Sequence, residues 1–264
     1  MRMQRVLFVL AATILASISA SGQTQEEKTY QQMTRAERST FVATQARRIA
    51  RELSGRDYEF TPAFEEDIQA AVNNYTRRLG PSAKRDVWLA FERGRTHAPA
   101  VASAFRPRNL SPLFGLYIAF IESEYVNIES PNVMGSVGMF QFLPKTGERY
   151  GLSVQDLLDV AKSADAAARY ITDSLESFED DPMKEALAIL SYNRGADKTR
   201  QDLNVLLNDQ NRECSICALN ANRRKLDETF RNESVFYVPL FFAAAIMGEN
   251  PQVFGLQMQP LSSY

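Results

Sequence analysis

Ser111-Pro-Leu-Phe-Gly-Leu-Tyr-Ile-Ala-Phe-Ile-Glu-Ser123 is the stretch on which the fold class turns. Ser111-Pro112 is a helix start, since proline in a first turn gives up an N–H that has no helical partner anyway. Leu113, Leu116, Tyr117, Phe120 and Ile121 then recur at helical spacing. The apolar run ends on an acid, Glu122, immediately before a polar loop rich in Gly and Pro.

Outward from this helix the same signals repeat. Thr34-Arg-Ala-Glu37 and Ser153-Val-Gln-Asp156 are capping boxes, and Thr61-Pro62 is an N-cap followed by a first-turn proline. Phe41, Val42, Ala46, Ile49 and Leu53 line one predicted helix; Phe64, Ile68, Ala71, Val72, Tyr75 and Leu79 line the next, which Gly80-Pro81 ends. Residues from about 83 to 105 read as helix interrupted near Gly94 and Pro99. A short helix is expected from Gly138, one capped by Ser163, one from Asp181-Pro182 to Gly195, and a last from about Glu233 to Gly248. Residues 196 to 231 give no clear pattern. No segment alternates as a large sheet would, so the class is mainly α, with room for a small hairpin.

Composition narrows the setting. Hydrophobic residues are 45% and charged residues 23%, which is ordinary globular usage. Arg2 and Arg5 followed by the uncharged run Val6 to Ile18 read as a secretory leader, with small residues up to Gly22 for cleavage; an uncleaved anchor is the alternative. Without that leader, 28 basic residues face 32 acidic ones, a balance that argues against nucleic acid as a partner. The clusters Arg47, Arg48, Arg51 and Arg77, Arg78 are expected on solvated helix faces. Cys214 and Cys217 in an exported chain suggest a local disulfide. Two thiols and the lone distant His97 are too few for a zinc site, and no metal or cofactor is expected.

Glu122 is the candidate for chemistry. An acid at a helix end is ordinarily just solvated. Apolar and aromatic neighbours change that, because burial disfavours the carboxylate and leaves a proton for a departing sugar oxygen.

Four ordered blocks sharpen the reading: Ile121-Glu122-Ser123; Gly138-Met-Phe-Gln141 followed by Pro144 and Thr146; Ser191-Tyr-Asn-Arg-Gly195; and Tyr237-Val-Pro239. Together they resemble the catalytic domain of soluble-type lytic transglycosylases, most closely the branch of membrane-bound lytic murein transglycosylase D. Arg149-Tyr-Gly-Leu152 and the Asn250-Pro251 to Gly255-Leu256 ending fit that branch, as does the lead-in through Glu92-Arg-Gly94 and Pro99. The resemblance implies a lysozyme-like helical domain over 106–256, preceded by a leader (1–22) and a helical extension (23–105) and followed by a C-terminal tail (257–264). It implies cleavage of the N-acetylmuramic acid to N-acetylglucosamine bond of peptidoglycan, with 1,6-anhydromuramyl ends as product, while the leader points to export and residence in the periplasm, with membrane association or further secretion as alternatives. Glu122 would be acid, then base.

The resemblance gives Ser123 the orienting of Glu122 or a substrate contact, with helix capping as its plainer role. It makes Gln141 a groove-lining amide, Met139 and Phe140 an apolar wall, and Tyr192 and Asn193 substrate-binding residues, with Tyr192 otherwise a core aromatic. Tyr237 is expected behind or beside the groove. Three departures stand out. The Glu122–Gln141 interval is about one residue longer than usual, Val126-Asn127 replaces Asn-Pro, and Glu233-Ser-Val-Phe-Tyr237 lacks the frequent arginine. Envelope machinery is a conceivable partner beside the glycan strands, and the sequence is silent on oligomeric state. A lysozyme-like hydrolase and a noncatalytic peptidoglycan-binding or assembly protein remain the competing readings.

Overall fold

The computed structural model describes residues 28–80, 86–206 and 213–264. The leader and Pro81 lie outside them. Among the described residues the chain forms α1 (Arg35–Ser54), α2 (Pro62–Thr76), α3 (Val87–Phe105), α4 (Leu113–Ser123), α5 (Pro144–Arg149), α6 (Val154–Leu157), α7 (Val160–Ser177), α8 (Lys184–Arg194), α9 (Ala196–Leu206), α10 (Ser215–Ala221) and α11 (Val235–Glu249). There is no strand among them, only an isolated antiparallel bridge between Val137 and Phe142.

Two helices are apolar nearly all round and therefore have to be central. α4 buries every residue from Leu113 to Phe120, and α11 exposes little beyond Phe236. They run against each other, with Tyr117 beside Glu249 at one end and Glu122 beside Tyr237 at the other. α3 and α7 cover one side of α4, while α1, α2 and α8 pack on α11. Phe120 marks the junction: its ring stacks on Phe91 of α3 at 4.8 Å and meets Tyr75 of α2 edge-on at 5.3 Å. The helices before residue 101 thus share one hydrophobic cluster with those after it. The final residues join it as well: Leu261 is fully buried, and the Ser262 hydroxyl donates to Glu249 at 2.5 Å.

Local signals placed several boundaries well. Both capping boxes form, at Thr34 and Ser153, and Thr61 caps α2. Elsewhere the structure corrects the expectation. α3 is not interrupted. Gly94 lies inside it because the Tyr125 ring packs where a side chain would be, and Pro99 sits on the exposed face. Residues 138–141 form a turn rather than a helix, since Gly138 and Gln141 both have positive φ. Asp159, not Ser163, caps α7; Ser163 is buried within it. The unassigned region 196–231 contains α9 and α10. Arg78 does not simply face solvent: it pairs with the buried Glu124.

Close approach of α4 to α3 requires glycine at 115. A Cβ there would come within 2.3 Å of the Phe105 ring and 2.7 Å of a Val101 methyl, both fully buried. Gly115→Ala should therefore lower stability by about 1–2 kcal/mol, overpacking outweighing the roughly 1 kcal/mol that alanine gains as a helix former. Urea unfolding would measure it; an unchanged or raised midpoint would mean that the two helices part without cost.

Candidate functional site

α4 ends abruptly. Glu124 and Tyr125 both take left-handed backbone conformations, φ 52° and 60°. The Glu124 N–H donates to the Phe120 carbonyl and the Tyr125 N–H to that of Ala119, which engages two of the last helical carbonyls. The two glutamates at this end live in opposite surroundings. Glu124 is held by Arg78 and Arg93, whose Nε also donates to the Glu124 carbonyl at 3.0 Å. Among the described residues no cation pairs with Glu122. Its Oε1 accepts the Tyr237 hydroxyl of α11 at 2.5 Å.

That difference sets its acidity. Burial disfavours the charged form and pushes the Glu122 carboxyl up to about 7, even though the Tyr237 bond acts in the opposite direction. Glu122 is therefore protonated in a large fraction of molecules near neutral pH and can also ionise there.

A second layer fixes the wall beside it. Three successive carbonyls of the 138–141 turn are each taken by a side chain. Gln141 Nε2 donates to the Gly138 carbonyl at 2.7 Å, Ser123 Oγ to that of Met139 at 2.7 Å, and the Tyr192 hydroxyl to that of Phe140 at 3.1 Å. Gly138 is required twice over, by its φ of +78° and because a Cβ would meet the Leu157 carbonyl oxygen at 2.3 Å. The Gln141 Oε1 in turn accepts Ser136 Oγ at 3.2 Å and Asn132 Nδ2 at 3.4 Å. Tyr192 also joins an aromatic group with Phe142, Tyr170 and Tyr150, centroids 5.2–6.5 Å apart.

These contacts revise several expected roles. Ser123 is buried and binds the turn, so it neither touches Glu122 through its hydroxyl nor faces a groove. Met139 and Phe140 are wholly buried; they are core residues whose carbonyls are used, not an exposed apolar wall. The Tyr192 hydroxyl reaches Phe140 rather than Glu122. Asn193 accepts from Ser234 Oγ at 2.7 Å, tying α8 to the turn before α11. Tyr237, expected behind or beside the groove as a substrate-binding residue, donates its hydroxyl to Glu122. Tyr150 and Tyr170 were missed as members of the aromatic group. Tyr170 reads as one more apolar position of a helix face, and nothing local marks it otherwise. Cys214 and Cys217 are joined in a disulfide at the start of α10, and Asp181 is occupied by the Met183 N–H and Ser215 Oγ, both at 2.8 Å.

An acid of neutral-range pKa, held by a tyrosine and backed by a hydrogen-bonded turn, now stands on a helical scaffold. Residues 101–213 match the transglycosylase SLT domain family. The SLT match takes in Glu122, Ser123, Gln141, Tyr192 and Asn193 and stops short of Tyr237. It agrees with the helical, lysozyme-like fold and supports lytic transglycosylase activity on peptidoglycan in general terms. No curated protein sequence matches the chain.

Tyr237→Phe removes the hydrogen bond that draws the Glu122 carboxyl downward while leaving the ring in place. The Glu122 titration should then move upward from about 7, by about 1 pH unit for one bond to a charged group. Carboxyl-carbon NMR of the glutamate-labelled protein would follow it, and an unmoved or lowered midpoint would discard Tyr237 as the group that holds the carboxylate.

Proposed function

We propose that this chain is a lytic transglycosylase that cleaves the β-1,4 bond from N-acetylmuramic acid to N-acetylglucosamine, with Glu122 as its acid and then its base. The observation that carries the reading is the Glu122–Tyr237 pair, in which burial raises the carboxyl's pKa to about 7. Glycosidic cleavage needs a proton at the leaving oxygen when the bond breaks, so that no bare alkoxide departs. Glu122 supplies it. The resulting carboxylate takes the proton of the muramyl C6 hydroxyl as that oxygen closes on C1, giving a 1,6-anhydromuramyl end. The substrate N-acetyl group supports the positive charge at C1. A pKa near neutrality suits both halves, since one group must first give a proton and then accept one.

Direct hydrolysis would ordinarily call on a second carboxylate near the first. Glu124 is committed to arginines and Asp181 to backbone and serine donors, which favours the intramolecular route. The branch of membrane-bound lytic murein transglycosylase D remains the best resemblance for finer preferences. We also place the mature protein in the periplasm, on the leader-like residues 1–22 and on a disulfide that an oxidising compartment would preserve. No described helix is long and apolar enough to cross a membrane.

Mass analysis of peptidoglycan digested by the mature protein tests the chemistry. Anhydromuramyl ends are expected; ends heavier by one water would mean hydrolysis, and binding without turnover would mean a noncatalytic protein. Glu122→Gln, close in size but unable to exchange the proton, should fold, bind glycan and lose roughly 10²–10⁴-fold in rate. Wild-type turnover should fall as pH rises through about 7, as Glu122 loses its proton. A rate that instead climbs through that range would assign the acid elsewhere.

A further inference from the structure

The position of Tyr237 depends on an irregular stretch of backbone. A π-helical turn, Phe230–Ser234, leads into α11, and Pro239 lies inside the first turns of that helix. Proline has no N–H, so the carbonyl four residues earlier, that of Val235, loses its helical donor. Val235 is 2% exposed, and a buried carbonyl left without a partner is costly. Asn220 supplies the missing donor: its Nδ2 reaches the Val235 oxygen at 3.1 Å in a buried bond. Tyr237 follows two residues later.

Asn220 is itself firmly placed. It stands on α10, whose start carries the Cys214–Cys217 disulfide. The Thr61 N–H donates to Cys217 Sγ at 3.4 Å, and Ser215 Oγ to Asp181 at 2.8 Å, so α10 is tied to both α2 and the approach to α8. Asp67 Oδ2, 3.4 Å from Asn220 Nδ2, adds a second acceptor. The Asn193–Ser234 bond holds the neighbouring residue through its side chain but leaves the Val235 carbonyl untouched.

We infer that Asn220 is a positioning residue for the proposed reaction: by replacing the hydrogen bond that Pro239 deletes, it sets the start of α11 so that the Tyr237 hydroxyl meets Glu122. The inference rests on the reading of Glu122 and Tyr237 as the reactive acid and its holder. Among the described residues, the titratable groups beside Glu122 are Tyr237 from α11 and Tyr192 from α8, both with acidity suppressed by burial, so neither titrates in the range used for the test.

The experiment compares product formation against pH for the wild type, Tyr237→Phe, Asn220→Leu, Pro239→Ala and the Asn220→Leu/Pro239→Ala double variant. Asn220→Leu should lose about tenfold in turnover and shift its alkaline limb upward in the same sense as Tyr237→Phe. Pro239→Ala alone should stay near wild type. In the double variant the backbone N–H regained at position 239 serves the Val235 carbonyl, so both turnover and the limb should return most of the way. An alkaline limb unmoved by Asn220→Leu, or a double variant no better than the single, overturns the inference. Should Asn220→Leu not fold, Asn220→Gln misplaces the same amide by one methylene; a displaced limb is expected and an unmoved one overturns the proposal. If Tyr237→Phe itself leaves the limb in place, the parent reading fails, and that result is separate from a failure of Asn220 alone.

Discussion

A carboxyl group drawn out of water, with no cation beside it, holds its proton toward neutral pH. The end of α4 meets that condition at Glu122 and withdraws it two residues later at Glu124, where Arg78 and Arg93 gather. The sharp left-handed closure at residues 124 and 125 makes the contrast possible, turning one side chain toward arginines and leaving the other beside Tyr237. Much of the remaining architecture serves that separation. α11 lies against α4 because both are apolar all round, and their packing brings the tyrosine to the acid from 115 residues away.

The wall next to Glu122 is built from backbone held by side chains. Ser123, Gln141 and Tyr192 each occupy one carbonyl of the 138–141 turn. Residues that a motif would assign to substrate here make hydrogen bonds that fix the turn. The chemical demand on such a site is angular and positional tolerance, and a turn with each of these carbonyls engaged has little freedom to drift.

The helical class and the capping boxes at Thr34 and Ser153 were legible in the chain because each is a local pattern, whereas Glu122 was singled out by four ordered blocks and not by its own surroundings in the sequence. Capping boxes involve residues three apart, and an apolar face involves neighbours along one helix. What escaped reading was non-local or left-handed. The Tyr237–Glu122 bond joins two helices with no shared period, and Gln141 takes a positive φ that its residue type does not announce. α9 and α10 were obscured because each is short and buries polar residues, Thr199 and Asp202 in one and Ser215 and Asn220 in the other, among its apolar ones. Met139 and Phe140 show the converse: an apolar pair in a motif says nothing of whether it faces a ligand or the core.

The Arg78–Glu124 ion pair has a consequence for how such proteins can be inherited. Arg78 lies just past the end of α2, Arg93 in the first half of α3 and Tyr237 in α11, all outside the stretch 101–213 that matches a family. A gene segment recognisable as a module therefore encodes only part of the surroundings of its own two glutamates. Transplanted by recombination into another chain, that segment would carry the acid but leave behind the groups that keep its two glutamates distinct. A recipient chain would have to offer equivalent arginines and a tyrosine to keep the two glutamates in different surroundings.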